Sequence, residues 1–134
     1  MTQQKIAVVG IVEFEDRVLV GKKIGKNGEV NHGEWHIPGG KAAPHETPEQ
    51  AIRREIMEET RVSIEIERLL DQRVVPDLSL EVKWFLCRAL SDVVIAGDDL
   101  AEAKFVSKSE LRKICSEKAI SLWPPKVVEY LDGK

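Results

Sequence analysis

Alternating apolar and polar residues predict several short strands around one central helix. The strand-like segments are 6–14, 18–20, 35–37, 62–75, 80–90 and 103–106. In the fifth segment Leu80, Val82 and Trp84 alternate with charged residues, which is the period of a strand with one buried face. Residues 21–33 hold four glycines and predict a loop. The pattern therefore predicts a sheet protein in which the strands outnumber the helices.

Capping signals place the helices between and after these strands. Thr47, Pro48 and Gln50 give a capping residue, a proline at the first helical position and a capping box, which predict a helix over Pro48–Thr60. Ser107 and Glu110 have the same spacing and predict a second helix reaching toward residue 115. Adjacent prolines at 124 and 125 predict a last helix ending near residue 131. Strands before, around and after a central helix predict an α/β sandwich with a mixed sheet, formed by one domain over residues 1–134.

Three carboxylates crowd the end of the central helix. Each helical position advances about 100° around the axis, so Glu55, Glu58 and Glu59 share an arc of about 100°. Like charges at this spacing repel, and the C-terminus of a helix already carries partial negative charge. The carboxylates also border the apolar stripe of Ile52 and Ile56, whereas a solvated face would lie opposite to it. The arrangement indicates a divalent cation held by oxygen ligands, for which magnesium or manganese is better suited than zinc.

Six residues at fixed spacing resemble the Nudix box of nucleoside-diphosphate-X hydrolases. They are Gly40, Glu46, Arg54, Glu55, Glu58 and Glu59. The resemblance implies a Nudix-type α/β/α sandwich and a pyrophosphohydrolase that uses Mg²⁺ or Mn²⁺. It implies metal ligation by the carboxylates of Glu55, Glu58 and Glu59 and by the carbonyl of Gly40. Arg54 and Glu46 are expected to orient those acids, Arg54 as part of the catalytic set.

One position departs from the family pattern, since Arg61 stands where the family has glycine after the helix. Helices often close with a left-handed residue, and arginine in that conformation costs about 1 kcal/mol unless the helix ends by another route. No ligand is lost, so we interpret Arg61 as a change in helix termination. The departure leaves open a catalytically inactive nucleotide-binding module.

The general base and the substrate contacts lie outside the box. Family members draw the base from a box glutamate or from an acid on a remote loop, and here the remote candidates are Asp98, Asp99 and Glu102. We select Glu102, because it lies just before the predicted strand 103–106. Substrate contacts are predicted for three lysines and one tryptophan that lie near strand ends or beside the glycines: Lys22, Lys23, Lys41 and Trp35.

Composition sets the expected partners. The chain has 134 residues and a net charge of -3, with acidic and basic residues interspersed, so no basic patch for duplex nucleic acid is predicted. Its apolar runs are too short to span a bilayer, no leader segment is apparent, and we expect a cytoplasmic protein. A small-molecule nucleotide is the expected partner, and a homodimer remains open. We favour a nucleoside triphosphate as substrate, whereas Pro76 hints at ADP-ribose or a nucleotide sugar.

Overall fold

The computed structural model describes residues 5–24, 34–97 and 100–133. The strands are β1 Lys5–Phe14, β2 Arg17–Lys23, β3 Trp35–His36, β4 Gly39–Lys41, β5 Ile64–Val75, β6 Leu80–Ala89 and β7 Leu100–Ser107. The helices are α1 Pro48–Thr60, α2 Lys108–Ile114, α3 Glu117–Ser121 and α4 Pro125–Leu131, and a short 3₁₀ turn spans Pro76–Leu78.

The seven strands form one sheet of mixed direction. Its main path runs β3-β2-β1-β6-β5, while β4 pairs with β1 and β7 pairs with β2. β1 and β6 are parallel, with Val9 opposite Trp84, and the remaining pairs are antiparallel. The mixed sheet predicted from the sequence is therefore confirmed.

Helices cover both faces of the sheet, so the predicted α/β/α sandwich is also confirmed. Successive residues of β1 point to opposite faces of the sheet. Val8 and Val12 pack with Ile52 and Ile56 of α1. On the other face Ile11 packs in a cluster that α2, α3 and α4 help to cover, with Leu111, Trp123 and Val127 among its members. No helix within the described residues is long and apolar enough to cross a membrane.

Helix α1 has the bounds that its caps predict. The Thr47 hydroxyl accepts a hydrogen bond from the Gln50 N–H, and the Gln50 side chain accepts one from the Thr47 N–H. At the other end Arg61 adopts the left-handed conformation, with φ 61° and ψ 20°, and its N–H donates to the Met57 carbonyl. The helix thus ends as it would with glycine, but an arginine occupies the left-handed position.

Several element bounds differ from the prediction. β5 starts at residue 64, two residues later than predicted, because α1 first closes through Arg61. β2 continues to Lys23, since pairing with β7 and β3 overrides the low strand propensity of Gly21. For the same reason β7 begins at Leu100, three residues earlier than predicted. Of the predicted loop 21–33, residues 25–33 lie outside the described residues.

Two elements were not predicted at all, β4 and α3, whereas the 3₁₀ turn lies at Pro76, a residue that the sequence explains equally well as part of a turn. β4 contains two glycines and is held as a strand by pairing with β1, in which Val8 lies opposite Gly40. Such pairing is a tertiary effect that local propensity does not reveal. α3 is only five residues long, and its local signal is the hydroxyl of Ser116, which caps it by accepting from the Ala119 N–H.

Candidate functional site

The three box carboxylates of α1 lie at different depths. Glu59 is buried, with 5% of its surface exposed. The side chain of Glu55 is 16% exposed and that of Glu58 is 42% exposed. All three lie beside the buried Ile52 and Ile56, as the helix phase predicts. Carboxylates rarely lie buried beside an apolar core, so this edge of α1 is a candidate functional site.

Arg54 connects these acids to the glycine segment before the helix. Its Nε lies 2.7 Å from Glu46 Oε2, and its Nη2 lies 2.9 Å from Glu46 Oε1. Nη1 donates to Glu55 Oε1 at 3.0 Å and lies 3.3 Å from Glu58 Oε2. Nη2 also donates to the carbonyl of Lys41 at 3.1 Å. The forked, bidentate guanidinium therefore fixes the orientation of Glu46 and ties Glu55 and Glu58 to β4.

This network sets the charges of the site. The hydrogen bonds from Arg54, followed by that from the Ala43 N–H at 2.9 Å, lower the pKa of Glu46 to about 2. Burial raises the pKa of Glu55, an effect that Arg54 opposes and the nearby charge of Glu58 reinforces. Glu55, Glu58 and Glu59 share one side of α1, and like charges at this spacing repel, so a bound cation would offset the repulsion.

Gly40 lies against the carboxylate of Glu55. A Cβ atom at Gly40 would lie 2.4 Å from the carboxyl carbon of Glu55 and 2.5 Å from its Oε2, so it would displace that carboxylate. At Gly39 a Cβ atom would lie 2.1 Å from the carbonyl oxygen of Val8, because β4 pairs closely with β1. Gly39 is thus required by close backbone packing, and the backbone at Gly40 directly adjoins an acid of the site.

The donor set fits a hard divalent cation. Carboxylate and carbonyl oxygens are the groups that Mg²⁺ and Mn²⁺ prefer, and Glu55, Glu58 and Glu59 concentrate negative charge at one end of α1. The carboxylates of Glu55 and Glu58 are at present turned toward Arg54, which supplies positive charge beside them. Accordingly, the part of the chain described here contains no preformed metal site made of three or more His, Cys, Asp or Glu side chains.

The segment before β7 docks on the C-terminal end of α1. The N–H of Gly97 donates to the carbonyl of Glu59 at 2.8 Å, and the N–H of Ile95 donates to that of Thr60 at 3.0 Å. A Cβ atom on Gly97 would lie 2.5 Å from the carbonyl oxygen of Glu58. Gly97 therefore packs against the turn that carries two of the acids. Sequence reasoning missed Gly97, because its only signal is a glycine in a polar loop. The candidate bases Asp98 and Asp99 lie outside the described residues.

Glu102 lies within β7, so the prediction that it immediately precedes the strand is wrong. β7 starts earlier because it pairs with β2 along its whole length, and Glu102 lies opposite Lys22. Residues paired in this way share a sheet face, which for Lys22 is the face of Val20, opposite to α1. Glu102 is exposed on that face. Its role as general base remains a prediction.

The predicted substrate contacts do not gather at one point. Trp35 lies opposite Lys22, and the ammonium of Lys104 lies 5.0 Å from the centre of its ring. The ring also packs against the apolar cluster below α2–α4. Lys41 is exposed beside Gly40, and Lys23 is exposed at the end of β2. Among the four, Lys41 is the residue whose backbone contacts the Arg54 network.

A cavity of about 610 Å³ opens on the face of the sheet opposite to α1. β1 contributes Ala7 and Val9, and Trp84 and Trp123 supply its aromatic walls. His36, Ile37 and the region after β5 complete it, including Pro76. Its volume and apolar character are those of a small-molecule site. Sequence reasoning missed both tryptophans, because strand and helix patterns gave no indication that they meet.

The comparisons with known proteins all indicate the same family. A family model described as NUDIX domain matches residues 1–131. The chain is similar to a MutT-like protein of Streptomyces ambofaciens, with 25% identity over 128 residues that cover 96% of this chain and 77% of that protein. It is also similar to an ADP-ribose pyrophosphatase of Methanocaldococcus jannaschii, with 34% identity over 113 residues that cover 81% of this chain and 65% of that protein.

Two further similarities concern a shorter segment and the fold. The chain is 41% identical to an 8-oxo-dGTP diphosphatase of Proteus vulgaris over 56 residues, which cover 40% of this chain and 50% of that protein. A crystal structure of a NUDIX hydrolase from Nitrosomonas europaea superimposes with a TM-score of 0.82 at 23% identity, covering 100% of this chain and 73% of that chain. At that identity the likeness shows a common fold.

Proposed function

The chain belongs to the Nudix hydrolases, enzymes that act on pyrophosphate bonds, and from that premise we propose that it hydrolyses a nucleoside triphosphate to the monophosphate and pyrophosphate. The proposal rests on the segment of residues 36–41, which takes part in both sites. His36 and Ile37 line the cavity, whereas Gly40 and Lys41 contact Glu55 and Arg54. We therefore propose that a nucleotide places its base in the cavity and its phosphates at the acids, along this segment.

The acids would hold the divalent cation that the reaction requires. Glu55, Glu58 and Glu59, with the carbonyl of Gly40, offer oxygen ligands of the right kind. Such a cation, when bound, neutralises phosphate charge and makes water a better nucleophile. The cation and Arg54 then compete for the same carboxylates, and Arg54 remains anchored through its two bonds to Glu46.

Arg54 and Glu46 act as positioning residues in this proposal. The guanidinium holds the carboxylates of Glu55 and Glu58 beside the glycine backbone, from which they would turn to a bound cation. Lys41 can add a point charge for the phosphates, because it is exposed next to Gly40. Glu102 is proposed as the proton acceptor only on the resemblance to relatives that use an acid outside the box, since it lies on the sheet face opposite to α1.

A second candidate substrate is ADP-ribose. The relative from Methanocaldococcus jannaschii is an ADP-ribose pyrophosphatase, and Pro76, which hinted at that branch, lies in the cavity wall. We favour the triphosphate because the glycine-rich segment 21–33 resembles that of family members that act on nucleoside triphosphates.

A substrate panel tests the proposal. The protein is incubated with Mg²⁺ or Mn²⁺ and with canonical, oxidised and methylated nucleoside triphosphates, ADP-ribose and dinucleoside polyphosphates, and the products are identified by mass. Release of monophosphate and pyrophosphate from triphosphates supports the proposal. Release of AMP from ADP-ribose alone would replace the substrate and keep the family reaction. Metal-dependent binding without turnover of any compound would indicate an inactive module.

A further inference from the structure

The last three carbonyl groups of α1 lie in the turn that carries Glu58 and Glu59. The carbonyl of Met57 accepts from the Arg61 N–H, which is the last hydrogen bond that the helix makes with its own cap. The carbonyls of Glu58, Glu59 and Thr60 come after it, and helix geometry gives them no partner within the helix. Helix ends fray where such groups stay open. The position of the two acids therefore depends on what covers this end of α1.

The backbone of the segment before β7 covers all three carbonyls. The N–H of Gly97 donates to the carbonyl of Glu59 at 2.8 Å, and the N–H of Ile95 donates to that of Thr60 at 3.0 Å. The carbonyl oxygen of Glu58 lies so close to Gly97 that a Cβ atom there would be 2.5 Å from it. The side chain of Ile95 is 60% exposed. The segment is thus joined to the helix through its main chain.

Gly97 is the residue of this segment at which a side chain would prevent docking. A Cβ atom would meet the carbonyl group of Glu58, at 2.5 Å from its oxygen and 3.7 Å from its carbon. A helix backbone cannot turn aside as the tip of a flexible side chain can, so Gly97→Ala must move the segment away from α1. The φ angle of Gly97 lies outside the left-handed region, so close approach is what requires glycine here.

We propose that Gly97 is a positioning residue for the cation site. Its docking holds the last turn of α1, and thereby the carboxylates of Glu58 and Glu59, in the arrangement that binds the divalent cation. The inference rests on the part of the proposed function in which these acids hold the cation. Ligands that are already fixed bind more tightly, because less conformational freedom is lost on binding. When the segment is undocked, the turn opens more often and cation binding has to restore it.

This coupling acts in both directions. If docking of the segment tightens cation binding by a given factor, cation binding must stabilise the docked segment by the same factor. One backbone hydrogen bond with net benefit changes an equilibrium by about three- to tenfold. We therefore expect a coupling of that size.

Amide hydrogen exchange, followed by NMR on the unaltered protein, measures the docking directly. The N–H groups of Ile95 and Gly97 exchange when the segment leaves α1, and Mg²⁺ is the cation because it is diamagnetic. We expect saturating Mg²⁺, without nucleotide, to slow both amides about three- to tenfold. The N–H of Leu90 is the control, because it donates to the Ser63 carbonyl at 2.9 Å and not to α1. Its exchange rate should stay unchanged.

Gly97→Ala tests the coupling from the other side. It keeps the N–H group but prevents the close approach, so electron paramagnetic resonance of free Mn²⁺ should show binding weakened about three- to tenfold. Val93→Ala is the matched control in the same segment. The side chain of Val93 is 66% exposed, and its removal leaves the docking bonds intact, so this variant should bind Mn²⁺ as the wild type does.

Unchanged exchange at Ile95 and Gly97 with Mg²⁺ bound overturns the inference. Equal slowing at Leu90 also overturns it, because it indicates stabilisation of the whole protein. A folded Gly97→Ala variant with wild-type Mn²⁺ affinity leaves Gly97 with a purely structural role, and if that variant does not fold, the exchange measurement alone decides.

Failure of the proposed function has a different signature. Neither measurement uses a nucleotide, so the coupling persists if the substrate is not a triphosphate. Cation binding without coupling refutes the inference alone. Absence of Mg²⁺ and Mn²⁺ binding in the wild-type protein refutes the inference together with the proposed role of the acids.

Discussion

Arg61 offers a quantitative test of how α1 is terminated. Its backbone is left-handed, with φ 61° and ψ 20°, a conformation that costs a residue with a Cβ atom about 1–2 kcal/mol. Glycine avoids this cost but loses about 0.4–1 kcal/mol through the greater freedom of its unfolded chain. We therefore expect Arg61→Gly to raise the free energy of unfolding by about 0.5–1 kcal/mol.

For a domain of this size the gain corresponds to an increase in Tm of about 2–4 °C. Thermal unfolding by circular dichroism and urea unfolding both measure it. Arg61→Ala is the matched control, because it removes the same side chain but keeps the Cβ atom, and its effect should stay within about 0.5 kcal/mol. If the glycine variant is no more stable than the alanine variant, the left-handed residue carries no cost and the reasoning is refuted.

Three further predictions concern the acids. Gly40→Ala should lower the rate of hydrolysis at least about 100-fold with little loss of stability, because its Cβ atom displaces the Glu55 carboxylate. Gly10→Ala is a control that should keep the rate, since its Cβ atom would meet only the Ile52 side chain, at 3.1 Å, and Val12. Glu102→Gln should lower kcat about 10²–10⁴-fold and remove the acidic limb of the pH–rate profile, whereas a larger defect in Asp99→Asn would transfer the role of base to the loop. Glu46→Gln should reduce stability at pH 7. Since the folded-state pKa of Glu46 is lowered to about 2, its contribution is complete above the ordinary glutamate pKa and is lost as the pH falls toward 2. The difference in urea midpoint between wild type and this variant should thus shrink from pH 7 to pH 3, and a constant difference would contradict the assignment.

The parts of the structure that were predicted well are those specified by local sequence signals. Thr47, Pro48 and Gln50 determine where α1 starts from contacts within one turn, and its end at Thr60 follows from the left-handed residue that comes next. The placing of Arg54 between Glu46 and the α1 acids could also be foreseen, because the resemblance had assigned it to orient them.

The features that the sequence did not reveal depend on contacts between distant segments. β4 is a strand because β1 lies beside it, and β7 is long because β2 pairs with it. Trp84 and Trp123 meet across a cavity although 38 residues separate them in the chain. Gly97 packs on the end of α1 through backbone atoms alone, which residue patterns do not encode. The predicted position of Glu102, just before β7, was wrong because pairing with β2 extends that strand past it.

The central claim is that the acids of α1 bind the divalent cation of the reaction. Electron paramagnetic resonance of free Mn²⁺ measures this binding without nucleotide or turnover. Glu58→Gln and Glu59→Gln keep side-chain size and remove one charge, so both should fold with a Tm close to that of the wild type, and relief of repulsion adds a few tenths of a kcal/mol at most. We predict that each substitution weakens Mn²⁺ binding at least about tenfold and lowers hydrolysis by orders of magnitude. Wild-type Mn²⁺ affinity and turnover in both variants would contradict the account.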